Sequence, residues 1–450
     1  MLSEDILLEM FDFYRLDSMK ESLRRPWKWH RLAHVCRKWR LVVSVSPRRL
    51  DLRILCTSGA PIGNILDSWP TFPLVARFNA SSRSKSMPMN VTLALRRPDR
   101  LCEIDVDITS SMTKSIIEVI QKPCQVLESI RIRVEEATEP PLVRNAFLGG
   151  SAPHLREIKL EGIAFPFPTI RQVLLSTNNL VELHLSRIPN DVYFSPDDLV
   201  TGLTTLVGLQ RLTVGFRVHS LAFSTPLIVT PQRTTLPSLT CLYFHGASEY
   251  LEEFVARINL PALCMVTIRL FNQVFFEVPQ FCQFIFRLNA PRLPTWVSVT
   301  LSAEFVGVLF ANETHRNENY VLGISCRRLD WQLSFVTQIS SQLSHLLSTV
   351  HSLTIQRVHE LPTEEEDVDS SQWIELFQPF THLTQVHILE KELVPGIVQA
   401  LVAGGTAAGV LPELTMLHLS EYDRSPSVTK DAKQFVATYE LSGRTVRLSG

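Results

Sequence analysis

The chain has 450 residues, enough for two or more domains or for one extended repeat array. Apolar residues make up 45%, which supports a sizeable core and excludes general disorder. A formal net charge of −1 excludes a global bias toward nucleic acid or an anionic membrane surface.

The first predicted element is an N-terminal helix. Ile6, Leu7, Met10, Phe11 and Tyr14 fall on one helical stripe. Ser3 is the expected N-cap, and Glu4 and Asp5 sit where the helix dipole favours negative charge. A second amphipathic stretch covers Trp29 to Arg40. Leu32, Val35, Cys36 and Trp39 are spaced i, i+3, i+4 and i+7, which predicts one helical face. Arg31, Arg37, Lys38 and Arg40 fill other positions.

Together these segments resemble an F-box. Leu2, Ile6, Leu7, Met10 and Phe11 match the first half of that family's pattern. Leu32, Val35, Cys36 and Trp39 match its later Leu-x-x-Val-Cys-x-x-Trp helix. Ser3 stands where the family usually has Pro, and the connecting segment Arg15 to Lys28 is long and basic. The resemblance implies that these nine apolar positions dock a Skp-family adaptor, and through it cullin and RING subunits. A region of about 50 residues buries too little surface to be very stable alone, and a partner's apolar surface would supply the rest.

From Arg15 to Arg53 there are twelve Lys or Arg against Asp17, Glu21 and Asp51. This band reads first as a solvated helix face, then as a match to an acidic partner. Nucleic acid ranks last, because no recognised module accompanies the charge.

Beyond residue 50 one unit recurs: apolar-x-x-apolar-x-apolar. Possible degenerate members open the series at Leu50-Asp51-Leu52 and Val75-Phe78-Ala80. Clear copies include Leu101-Ile104-Val106, Leu127-Ile130-Ile132, Leu155-Ile158-Leu160 and Leu180-Leu183-Leu185. The series continues through Leu209-Leu212-Val214, Leu239-Leu242-Phe244, Leu263-Val266-Ile268 and Trp296-Val299-Leu301. It ends with Val321-Ile324-Cys326, Val350-Leu353-Ile355, Leu383-Val386-Ile388 and Leu414-Leu417-Leu419. From Leu101 onward, successive starts lie 24 to 33 residues apart. A leucine-rich repeat has a period of roughly 20–29 residues. Helical patterns lie between the strands, at Lys114 to Lys122, Ile170 to Ser176, Asp197 to Leu206, Tyr250 to Ile258, Gln280 to Leu288 and Leu333 to Leu347. Strand, turn and helix in each unit predict a solenoid, since no repeat buries its apolar face alone. Asn never occupies the position three residues after the last strand anchor, so no regular asparagine ladder is expected. The array resembles the divergent leucine-rich-repeat domains that follow F-boxes in large fungal families.

The predicted fold class is therefore α/β: a small N-terminal helical F-box, residues 1–50, then an irregular leucine-rich-repeat solenoid with a curved parallel sheet, residues 51–450. Strand positions between the apolar anchors should face the concave side. Asp105, Lys159, His184, Tyr243, His387 and His418 are the candidate substrate contacts. Loops are expected at Ala80 to Asn90, Phe216 to Thr235 and the acidic stretch Leu361 to Ser371.

Val394 to Leu411 is uncharged over eighteen residues, but its glycines and Pro395 predict a helix and loop, with no membrane span. Acidic Glu4 and Asp5 close behind Met1, with no basic stretch before an apolar core, argue against a signal peptide. The eight cysteines are scattered, with no Cys-x-x-Cys pair, which suits a reducing, cytoplasmic or nuclear setting. His30 and His34 share i, i+4 spacing with Cys36 nearby, yet no distant ligand set completes a metal site, so a solvent-facing pair is preferred. No cofactor is expected. No nucleophile elbow, phosphate-cradling loop or dinucleotide fingerprint appears. The expectation is a non-enzyme: the substrate-recognition subunit of an SCF-type ubiquitin ligase, with an unknown protein as target. The rival readings are a repeat scaffold without ligase role and a nucleic-acid binder through residues 15–53.

Overall fold

The computed structural model describes residues 3–21, 30–47, 50, 52–59, 61–80, 86–135, 141–143, 147–217, 233–271, 276–289, 293–312, 319–358, 370–407, 410–419, 433, 435–437, 439–440 and 445–449. The chain divides into two compact units, Met1–Phe194 with Thr201–Leu209, and Ser195–Val200 with Gln210–Gly450.

The first unit opens with helices α1 (Glu4–Glu21), α2 (His30–Ala33) and α3 (Arg37–Val45). Strands β1 (Ile54–Cys56), β2 (Leu74–Asn79), β3 (Leu101–Ile108), β4 (Ser129–Val134), β5 (Glu157–Glu161) and β6 (Glu182–Ile188) follow. They pair in that order, all parallel. Parallel neighbours need crossovers. Helices α4 (Gly63–Ser68), α5 (Met89–Leu95), α6 (Thr113–Ile120) and α7 (Phe167–Ser176) lie within them.

Register explains the recurring apolar pattern. Ile104, Ile130, Ile158 and Leu183 are successive partners, as are Val106, Ile132, Leu160 and Leu185. All eight are buried. Residues between them are half-buried or exposed, because side chains alternate faces along a strand. One sheet face thus joins the core and the other stays open.

Helix α8 (Pro196–Leu203) gives residues to both units. The second unit contains β7 (Arg211–Phe216), β8 (Thr234–Thr235), β9 (Cys241–Gly246), β10 (Ile258–Asn259), β11 (Met265–Leu270), β12 (Trp296–Ser302), β13 (Val306–Ala311), β14 (Asn319–Ile324), β15 (Ser352–Val358), β16 (Gln385–Ile388), β17 (Met416–Leu419) and β18 (Arg447–Ser449). Its helices are α9 (Ser248–Ala256), α10 (Pro279–Asn289), α11 (Leu329–Gln342), α12 (Ser344–Leu347), α13 (Ser370–Phe377) and α14 (Val394–Ala407). The sheet order is β7-β9-β11-β14-β13-β12-β15-β16-β17-β18, with β8 and β10 paired separately. Strand-helix repeats therefore stack as a leucine-rich-repeat-like solenoid within each unit, and the α/β reading holds.

Four features depart from the sequence expectation. The stretch Trp29 to Arg40 is not one helical face. Helix α2 ends at Ala33, His34 and Val35 form a turn, and Cys36 is extended (φ −159°, ψ 172°) as the N-cap of α3, its Sγ accepting from the Trp39 N–H at 3.5 Å. The break also removes the i, i+4 helical relation between His30 and His34. Next, Trp296-Val299-Leu301 is out of phase by two. Val297 and Val299 pair with the anchors Leu353 and Ile355, and Trp296 stands on the open face. Val75-Phe78-Ala80 is displaced likewise, since Ala76 and Phe78 pair with Ile104 and Val106. Finally, Val321-Ile324-Cys326 does not hand on to the next repeat strand: β14 pairs parallel with β11 and leads into α11, but β15 pairs with β12 instead. Strand β13 runs antiparallel to both β12 and β14, so a meander enters the array. Period-two alternation cannot reveal such shifts, because a displacement by two keeps the same faces.

In place of an asparagine ladder, the residue after each first anchor links neighbouring repeats through its backbone. Glu128 N–H donates to Cys102 C=O, Arg156 to Glu128, and Val181 to Arg156, each at 2.8 Å. In the second unit, Thr240, Thr384 and Thr415 add a hydroxyl. Their Oγ1 atoms donate to the carbonyls of Gln210, His351 and Thr384 at 3.1, 3.0 and 3.1 Å.

No helix among the described residues is long and apolar enough to cross a membrane. The stretch expected as helix and loop forms α14, which includes Gly404 and Gly405. Of the loops expected at Ala80 to Asn90, Phe216 to Thr235 and Leu361 to Ser371, residues 81–85, 218–232 and 361–369 lie outside the described residues, while Met89 and Asn90 begin α5, Thr234 and Thr235 form β8, and Ser370 and Ser371 begin α13.

Candidate functional site

The N-terminal helices sort their apolar residues into two sets. Leu7, Leu8, Phe11, Leu32, Ala33, Val42 and Val43 are buried and form the local core. Phe11 meets Trp39 edge-on, with ring centroids 4.9 Å apart, which ties α1 to α3. The Ser3 hydroxyl accepts the Ile6 N–H at 3.4 Å, as expected of the N-cap. The second set faces outward. Ile6, Met10 and Phe13 are 47%, 44% and 75% exposed, on an i, i+4, i+7 stripe of α1. Val35, Leu41 and Val45 are 58%, 57% and 66% exposed. Of the nine residues assigned to docking, Ile6, Met10, Val35 and Cys36 are exposed, Trp39 is half-buried, and Leu7, Phe11 and Leu32 lie inside. Leu2 lies outside the described residues. The F-box-like pattern does not include Phe13, Leu41 or Val45. A 3.6-residue period marks an apolar face, but two adjacent stripes on one helix look like a single broad one.

Of the basic band, Arg24, Arg25, Lys28, Arg48 and Arg49 lie outside the described residues. Within it, Arg40 Nε donates to the Ala33 carbonyl at 3.0 Å and so closes the α2–α3 turn.

The second candidate surface is the open sheet face. All six predicted contact residues stand on it, at the positions between inward anchors. Asp105, Lys159 and His184 belong to one row of the first unit, through the partners Asp105–Arg131–Lys159–His184. In the second unit His387 and His418 are register partners, and their rings stack at 4.1 Å with a 3° tilt. Burial, then the neighbouring His418, pushes the His387 imidazole below its ordinary value. Tyr243 stands apart, between Thr213 and Thr267.

The first unit's face is an ionic lattice. Arg77 reaches Glu103 at 2.7 Å and Asp105 at 3.2 Å. Arg133 reaches Glu161 at 2.7 Å, and Lys159 reaches Glu182 at 2.9 Å. Arg53 and Arg187 join through Glu128 at 2.8 Å and Glu161 at 3.3 Å. A concavity of about 270 Å³ lies over Arg131, Arg133, Lys159, Glu161, Glu182 and His184. Burial pushes the His184 imidazole down, and its Nε2 lies 2.9 Å from the Ser186 hydroxyl. Burial opposes charge on Lys159, but its carboxylate partners outweigh it and raise the ammonium's value. Half-exposed pairs of this kind add little stability, about 0–1 kcal/mol each. Their consequence is a polar surface of alternating sign whose named cations already have carboxylates.

The second unit's face is different. It carries Tyr243, His245, Arg269, Phe305, Trp296 and the histidine pair. Trp296 Nε1 donates to Thr354 Oγ1 at 3.1 Å, and Gln356 Nε2 to Thr300 Oγ1 at 2.8 Å.

Cys56, Cys102 and Cys282 are pushed up to about 12 and Cys124 to about 11, each mainly by burial. Such thiols stay protonated and act as small apolar groups. Among the described residues no group of three His, Cys, Asp or Glu side chains could hold a metal ion.

No protein-family model matches this chain. No curated protein matches it either. Among solved structures it is similar to the leucine-rich repeat-containing protein LegL7 from Legionella pneumophila, at 11% identity and a TM-score of 0.28, covering 88% of this chain and 99% of that one. The repeat fold rests on the strand register described above and not on this likeness.

Proposed function

We propose that the chain is a substrate-recognition subunit of an SCF-type ubiquitin ligase, not itself an enzyme. The N-terminal helices dock a Skp-family adaptor, which brings cullin and RING subunits, and the repeats hold a target protein. The observation that carries this reading is the outward apolar set Ile6, Met10, Phe13, Val35, Leu41 and Val45. It occupies the segment whose sequence resembles an F-box. Burying several such side chains at roughly 1.5–3 kcal/mol each would support a specific interface after the costs of association.

The test is coexpression with the adaptor and copurification. Met10→Asp with Val35→Asp places two charges on the outward set and should abolish copurification while the thermal melt stays near wild type. Leu32→Asp is a poorer probe, because Leu32 is 8% exposed and a buried charge unfolds the tip. A wild-type chain that does not bind the adaptor, with its repeats folded, overturns the ligase reading and leaves an interaction scaffold. Undiminished binding by the double variant overturns the assigned face.

A further inference from the structure

Arg269 departs from the pattern of the ionic lattice. It lies on β11, paired in register with His245 of β9 on one side and Gly323 of β14 on the other. Its guanidinium carbon sits 4.7 Å above the centre of the Phe305 ring. That ring lies across two glycines, Gly307 and Gly323, which are partners in the β13–β14 pair. A Cβ at Gly307 would come within 2.7 Å of the ring, and one at Gly323 within 2.5 Å. The glycines make a floor, the ring lies on it, and the cation lies on the ring.

Among the described residues Arg269 has no carboxylate and no hydrogen bond. Its Nε is buried without a partner, and so is His245 Nε2 beside it. Its terminal nitrogens are the part left open. His245 adds no carboxylate; it packs edge-on against Phe271 at 5.0 Å. Burial and the nearby Arg269 cation keep its imidazole neutral at neutral pH. The first unit's Arg53, Arg77, Arg131, Arg133, Lys159 and Arg187 all have acid partners within 4.0 Å. A guanidinium fixed flat on a ring, with its donors unused, is prepared for a bidentate acceptor.

We propose that the open face around Arg269 binds an acidic peptide segment of a partner protein, with an Asp or Glu carboxylate received by the Arg269 guanidinium above Phe305. The proposal deepens the reading of the repeats as the part that holds the target, and rests on it for the peptide's role as target. The site itself stands on the uncompensated charge and its aromatic and glycine bed.

The test uses the full chain and fluorescein-labelled peptides of alternating Glu and Tyr or alternating Gln and Tyr, read by fluorescence anisotropy. Wild type should prefer the Glu peptide by about tenfold, in keeping with one charge-assisted bidentate contact. Arg269→Met, which keeps a long apolar stem over the ring, should erase the preference. Arg269→Lys should retain part of it, since charge survives and the fork does not. Arg133→Met, in the first unit's lattice, should leave it intact. No preference in wild type, or a preference that survives Arg269→Met, overturns the proposal. Equal loss in Arg133→Met overturns it too, because overall charge then explains the binding. Copurification with the adaptor, run on the same samples, separates the two readings. Loss of the peptide preference with the adaptor bound refutes this inference alone. An intact preference without the adaptor refutes the ligase reading alone.

Discussion

Glu252 is a buried carboxylate on α9, 6% exposed, and it caps the next repeat's helix. Its two oxygens accept the Gln280 and Phe281 N–H groups at 2.7 and 2.8 Å, at the start of α10. A helix leaves its first amides without intrahelical acceptors, so these two bonds are structural. Glu252→Ala would remove both and leave buried donors unsatisfied. At roughly 1.5–3 kcal/mol for a hydrogen bond to a charged group, with partial relief by water, the loss is about 3 kcal/mol. That raises local opening of the first turn of α10 by about two powers of ten. Hydrogen exchange across Pro279–Asn289 measures it directly, and the Gln280 and Phe281 amides should show the largest increase. Unchanged protection of those two amides would falsify the capping role. A pH dependence follows as well. Burial pushes the carboxyl above its ordinary 4.5, and the two backbone donors offset only part of that rise. A raised folded-state value means this group's contribution is fully present below pH 4.5 and is lost as the pH rises through the folded value. The stability of wild type relative to Glu252→Gln should therefore decline as urea melts move upward from pH 4.5.

His245 titrates with the opposite sign. Burial, then Arg269, lowers it from 6.5 to about 4, so the folded state keeps it neutral while the unfolded chain takes a proton. Its contribution is present above pH 6.5 and is lost as the pH falls from 6.5 to about 4. His245→Phe should flatten that acid-side decline in urea midpoints; an unaltered slope would place its titration elsewhere. Gly323→Ala puts a Cβ 2.3 Å from the Val306 carbonyl oxygen, where backbone cannot yield cheaply. A loss of roughly 2–4 kcal/mol is expected in urea melts, and a change below about 0.5 kcal/mol would contradict the packing. Asn90 lies in a sequon but is 6% exposed. Its amide donates to the Thr57 and Gly59 carbonyls and accepts from the Ile62 N–H, at 2.9, 3.2 and 3.2 Å. Asn90→Ala should cost roughly 2–3 kcal/mol, and expression in a glycosylating host should leave this site unmodified by mass spectrometry.

Much of the repeat core was legible because its signal is local. Ile104, Ile130, Ile158 and Leu183 appear as anchors at a steady period, and they meet as register partners. The position between anchors follows from alternation alone, and Asp105, Lys159, His184, Tyr243, His387 and His418 stand on the sheet face away from the buried anchors. The tip was legible only in part. The apolar stripes were visible, but Leu7, Phe11 and Leu32 turn inward while Ile6, Met10 and Val35 turn outward. A stripe's period does not say which edge meets the core, and the extended Cys36 interrupts the second one.

The amino-acid order determines what each stretch can become: strands wherever apolar residues alternate, helices between them, a capped N-terminal helix at Ser3. These choices depend on backbone preference and on residues a few positions apart. Only the tertiary structure decides which strands lie side by side, and hence which charges are neutralised. The β13–β14 meander brings Gly323 beside Arg269 and Phe305 over both glycines, although no spacing in the chain announces it. Arg133 finds Glu161 across a strand pair and Arg269 finds a histidine and a glycine. The two arginines are alike in sequence; the long-range pairing of their strands makes one part of a closed lattice and leaves the other an open cation.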